Sequence, residues 1–183
     1  MARTIYLFDP VERFVAGTVG QPGERTFFVQ ARTGTRLISV ALEKTQLEAL
    51  SIRIEEIAKE VRATYPATPI ERLPQDGSPL ESPIDEEFRV GAIGLSYDPD
   101  RASIEIDFQA VTENESSEDE ELFDISGEST SDLLRVIAPL SIAIAFAKRS
   151  LAVIGAGRKP CPFCGGPLDP RGHLCPRANG YRR

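Results

Sequence analysis

The chain is poor in the residues on which most enzyme chemistry depends. Among 183 residues there is one histidine and there are three cysteines. With so little imidazole, general bases other than carboxylates are scarce, and the carboxylates show no distinguishing pattern. A phosphate loop, a nucleophile elbow and the kinase signature set are all missing. The GAG at 155–157 follows an apolar helical run, lacks the spacing of a dinucleotide loop, and reads as a helix end. Long hydrophobic runs are missing too. The longest uncharged apolar segment, Val136 to Ala147, holds twelve residues with Pro139 among them. A spanning helix needs roughly 20, so no membrane segment is expected. The opening MARTIYLFDPVERF lacks a basic stretch followed by an apolar run, because Asp9, Glu12 and Arg13 interrupt it. A secretory signal is therefore not expected, and the expected location is the cytoplasm.

What is present is ordinary for a folded domain. Hydrophobic residues make up 41% and charged residues 27%, and the length suffices for one core with a small appendage. The net charge of −7 is unevenly spread. Residues 158–183 carry six basic residues against Asp169, a balance of +5, which leaves −12 on residues 1–157. An acidic body repels phosphates, so nucleic-acid binding would be confined to the tail.

Along the chain, Thr4 to Phe8 and Phe14 to Val19 read as strands, and Arg25 to Ala31 turns at Thr33-Gly34 into Arg36 to Leu42. Leu47, Leu50, Ile54, Ile57 and Val61 then form one helical stripe, with Thr45 and Glu48 as its capping box. Five prolines between Pro66 and Pro83 mark a linker or surface strap. Phe88 to Tyr97 and Ala102 to Val111 flank the turn at Asp98-Pro99-Asp100 as a second hairpin. Eight acids in Glu113 to Glu128 read as a solvated loop, or more sharply as a docking site for a basic partner. Leu133 to Ile137 follows as a strand and Ser141 to Ile154 as a helix apolar on nearly every face.

The order strand, strand, strand, helix thus occurs twice. The expected fold is α+β: antiparallel hairpins with two main helices packed on sheet, arranged as two similar halves at about 1–65 and 84–157 joined by the proline-rich 66–83. Residues 1–157 form that domain, and residues 158–183 form a small zinc-ribbon-like tail.

The chemistry concentrates in CPFCGGPLDPRGHLC, residues 161–175, which holds every cysteine and the histidine: Cys161, Cys164, His173 and Cys175. Two cysteines separated by two residues present both sulfurs to one metal across a tight turn, and Gly165 permits the backbone that closes it. His173 and Cys175 alternate on an extended segment and point the same way. A second knuckle of the usual kind would have a cysteine where Ala178 stands, so His173 is the candidate fourth ligand. Without it the site has three thiolates and an open position. The plain alternative is buried cysteines with a chance histidine nearby. Soft S₃N ligation in tetrahedral geometry suits Zn²⁺, with iron second. Four protein ligands make a closed, structural site, and coordination is what would fold so short a ribbon.

The tail CPFCGGPLDPRGHLCPRANGYRR, with QPGERTFFVQARTG and FRVGAIGLSYD, resembles an uncharacterised bacterial family, domain of unknown function 3090, found mainly in actinobacteria. The resemblance covers essentially the full length. It implies an inherited metal-binding motif in Cys161, Cys164, His173 and Cys175 and adds nothing to an enzymatic reading. The helix from Ser141 is more apolar than the Ala/Arg-rich helix the resemblance leads one to expect.

The leading expectation is a protein-binding or adaptor module with a structural zinc site, no catalytic residues and a protein partner. Two readings stand beside it: an enzyme with a carboxylate-lined pocket between the halves, and a nucleic-acid binder using the basic tail with Asn179 and Tyr181. A twofold assembly is unforced.

Overall fold

Period-two runs become strands and the period-3.6 stripe becomes a helix. In chain order the elements are β1 (Ile5–Phe8), β2 (Arg13–Val19), β3 (Thr26–Thr33), β4 (Arg36–Leu42), α1 (Lys44–Thr64), β5 (Glu86–Asp98), β6 (Ser103–Ala110), β7 (Leu133–Pro139) and α2 (Leu140–Gly155). They come from a computed structural model that describes residues 3–67, 69–111, 131–157, 161–166, 168, 175 and 177. The acidic segment 113–128 lies outside the described residues.

The strands form one mixed sheet in the order β1-β7-β6-β5-β4-β3-β2. Hairpin neighbours pair antiparallel as expected, whereas β1 with β7 and β4 with β5 pair parallel. The expectation of antiparallel pairing alone is therefore corrected. Parallel pairing at β4/β5 follows from connectivity, because α1 and the strap return the chain to the end from which β4 started. The meander β2-β3-β4 followed by α1 is matched in element order by β5-β6-β7 followed by α2.

The sheet curls until its two ends meet. Residues 9–12, which link β1 to β2 along the chain, bond to the strands next to those two: Val11 N–H donates to Ile137 O of β7 at 3.1 Å, and Glu12 N–H to Arg32 O of β3 at 3.0 Å. Arg36 closes the same seam by donating to Leu7 O at 2.9 Å, its guanidinium 4.8 Å from the Phe8 ring centroid. Strand alternation supplies the core. On β6, Ile104, Ile106 and Phe108 are fully buried, while Glu105 and Asp107 face out and pair with Arg135 of β7. Phe14 of β2 stacks on Phe146 of α2 at 4.0 Å between centroids, so β2 and α2 share one apolar cluster. At roughly 25 cal/mol per Å² of apolar surface removed from water, this shared burial is what holds helices to sheet.

α1 buries Leu47, Leu50, Ile54, Ile57 and Val61, the predicted stripe. Its start differs from expectation. The helix begins one residue before Thr45, so Glu43 is the N-cap and the capping box pairs it with Gln46, whose Oε1 accepts from Glu43 N–H at 2.9 Å. Tyr65 closes the last turn on Val61 O, and Pro66 prevents further helix. α2 is central as expected from its apolar faces, and it ends at the GAG.

The proline-rich segment has a physical task that its composition does not reveal. Residues 76–81 lie against the outer face of β2–β4. Leu80 occupies the space above Gly17, where a Cβ would stand 2.6 Å from Leu80 Cγ. Gln30 exchanges two hydrogen bonds with the Glu81 backbone, at 2.8 and 2.9 Å. Arg13 donates to Asp76 at 2.7 Å and Glu81 at 3.0 Å, and its guanidinium holds the Asp76 carboxyl down at about 2. Arg149 reaches from α2 to Ala16 O of β2 at 2.8 Å, Ser78 O at 2.7 Å and Asp76 O. Burial disfavours its charge and pulls its pKa down, so those carbonyls are what make a buried guanidinium tolerable.

Arg149→Met should therefore lower stability by about 3 kcal/mol, since three carbonyls lose the charged donor of a buried side chain. Urea denaturation reads this as a lower midpoint with unchanged slope. An unchanged midpoint would show that the strap is held without it.

Candidate metal centre

The described part of the tail is built as a tight turn. Gly165 N–H donates to Cys161 O at 2.8 Å and Cys161 N–H donates to Gly166 O at 2.7 Å, so the two ends of CPFCGG are tied together. Gly165 takes φ +74°, the left-handed conformation its sequence position was expected to need. The turn brings Cys164 back beside Cys161, and the chain returns later with Cys175. Arg177 Nη1 donates to Phe163 O at 3.3 Å, which ties the returning segment to the turn.

All three sulfurs lie within 4.8 Å of one another, and Cys161 Sγ is 3.8 Å from Cys175 Sγ. Two thiolates bound 2.3 Å from a tetrahedral metal stand about 3.8 Å apart, so the closest pair already has the spacing that coordination requires. Cys161 and Cys175 are buried and Cys164 is half-buried; all are free thiols. Burial opposes ionisation of Cys161, but backbone N–H groups of Cys164 and Phe163 pointing at its sulfur outweigh that and draw the thiol below its ordinary value. Amide-to-sulfur bonds of this kind stabilise the thiolate form that binds metal. On Cys164, the amide of Gly166 favours the thiolate, but burial and the neighbouring thiols Cys161 and Cys175 prevail and push it up.

The three cysteines that sequence spacing grouped are thus brought together into a cluster that could hold a metal ion. The fourth expected ligand, His173, lies outside the described residues, as do Asn179 and Tyr181. Arg177 is committed to the turn and not splayed from it.

Two neighbouring cavities, about 300 and 330 Å³, run between α1 and β5 and share Arg53 and Leu95. They do lie between the two halves. The first has a mainly apolar wall that includes Leu50 and Ile93, and the second mixes Ile57 and Val61 with Thr64, Ser96 and Tyr97; Glu60 is the single carboxylate among their lining residues, engaged by Arg53 at 3.2 Å. Paired acids are missing from these cavities among the described residues. The Arg13 and Arg149 clamp has no counterpart in the sequence pattern. Arg149 sits in an apolar helix where any exposed arginine would look the same, and only the fold turns it toward the strap.

Gly165→Ala isolates the contribution of the turn, because a Cβ there meets nothing within 4 Å. The cost is conformational alone, roughly 1–2 kcal/mol for a left-handed L-residue. Metal affinity should fall about five- to thirtyfold in competition with a chromophoric chelator; unchanged affinity would mean that the turn is not part of the centre.

Comparison with curated proteins and with solved structures returns no match. The family model for proteins of unknown function DUF3090 does match, over residues 6–175, a span that takes in the sheet, both helices and all three cysteines. The chain belongs to that family.

Proposed function

We propose that Cys161, Cys164 and Cys175, completed by His173, form a closed structural zinc centre in a cytoplasmic protein that acts as a binding or adaptor module for another protein. The observation that carries the reading is the convergence of three sulfurs within 4.8 Å of one another, with Cys161 and Cys175 at 3.8 Å, the separation two thiolates have on one tetrahedral metal. Soft thiolates with one imidazole favour zinc among the common divalent ions. Four protein ligands leave no vacant position for a reacting water, which makes the centre a fold-stabilising one. Coordination of this kind contributes on the order of 10–16 kcal/mol, enough to order a ribbon that has no core of its own.

The binding role is supported by what accompanies the centre. The cavities between the halves lack paired acids, and no helix among the described residues is long and apolar enough to cross a membrane. The tail's Phe163 is 63% exposed at the tip of its turn, an apolar side chain of the kind that interfaces cover.

Metal analysis of freshly purified protein tests the reading. Wild type should carry one zinc per chain. Cys164→Ser and His173→Ala should each lose it or hold it at least tenfold more weakly. Zinc retained in full by His173→Ala would mean an open coordination position and would reverse the structural assignment; affinity capture without any protein partner would count against the adaptor role.

A further inference from the structure

The spacing that suits coordination also leaves the three sulfurs close enough to react with one another. A disulfide is about 2.05 Å long. Cys161 Sγ and Cys175 Sγ are 3.8 Å apart and both Cys164 pairs are within 4.8 Å, so closing a bond needs a shift of about 2–3 Å. The three are not equally reachable. Cys161 and Cys175 are buried at 4% and 7% exposure, whereas Cys164 is half-buried and faces an oxidant first. The pattern is that of a reachable thiol beside two resolving thiols, in a turn that presents its sulfurs on one side.

We propose that the cluster is a peroxide-sensitive switch in which oxidation of Cys164 expels the metal and closes a disulfide with Cys161 or Cys175. The proposal rests on the metal-centre reading. As a metal ligand Cys164 has already lost its proton, and its thiolate attacks one oxygen of hydrogen peroxide; the O–O bond breaks, and the departing hydroxide takes a proton to become water. The Cys164 sulfenic acid that results is attacked at sulfur by a neighbouring thiolate; the S–S bond forms, the S–O bond breaks, and the second oxygen leaves as water once protonated. Two thiolates are oxidised by two electrons in all, and one peroxide is reduced to two waters. Zinc itself undergoes no redox change and leaves because two of its ligands are gone. A thiol reductant reverses the step and restores the site.

The physical consequence is a tail whose order depends on redox state. Without metal the ribbon loses the coordination that folds it, while the disulfide retains only a short local loop. Phe163, held at the tip of the turn by the same hydrogen bonds that position Cys161, would leave its set position when the metal leaves.

The test uses the full-length zinc-loaded protein and hydrogen peroxide, with released zinc followed by a chromophoric chelator and thiol state by peptide mass mapping. The expected result is loss of one zinc and gain of one intramolecular disulfide per peroxide consumed, with Cys164 in the bridge and both changes reversed by dithiothreitol. Zinc retained through several equivalents of peroxide would overturn the switch alone. Zinc lost with Cys164 driven to sulfinic acid and no disulfide would overturn it too. A freshly reduced protein that takes up no zinc would overturn the metal reading and the switch together.

Discussion

The hold of two arginines on the connecting strap is the constraint from which the rest of the body follows. The chain must travel from the end of α1 back to the start of β5, and only then can β5 lie parallel to β4 and merge two meanders into one sheet. Arg13 and Arg149 fix residues 76–81 on that return path. Arg149 does so from α2, so an element of the second half clamps the connection between the halves while donating to β2 of the first. A buried guanidinium is costly, and its charged hydrogen bonds offset that cost only in this arrangement. Curling of the sheet, with residues 9–12 joining β7 to β3, then encloses a single apolar cluster that both helices share.

The tail obeys a different rule. The apolar cluster of the body contains neither Cys161 nor Cys175, and two backbone hydrogen bonds close the turn around Gly165. Three converging soft ligands there could hold a metal ion. Body and tail therefore differ in what can destabilise them. The body answers to packing and to the arginine clamp, whereas the tail, on the reading proposed above, answers to metal availability and thiol chemistry.

Periodicity made much of this legible. The stripe from Leu47 to Val61 and the alternation Ile104, Ile106, Phe108 are direct imprints of helical and strand geometry, and both are buried as their spacing requires. The Cys161, Cys164 and Cys175 grouping was legible because ligand spacing is a local property of a turn. Pairing across the sheet and the place of the helix cap were not. The parallel β1/β7 and β4/β5 pairs are long-range partnerships that leave no mark on either strand's own pattern. The capping box lies at Glu43 and Gln46 and not at Thr45 and Glu48, because several residues near a helix start can serve as caps and a sequence pattern places helix ends only to within a residue or two.

X-ray absorption at the zinc edge on the purified full-length protein reads out whether sulfur in the tail holds a metal. Three sulfur scatterers at about 2.3 Å and one nitrogen at about 2.0 Å are expected. A shell of oxygen and nitrogen alone, or one with fewer than three sulfurs, would contradict the proposed centre.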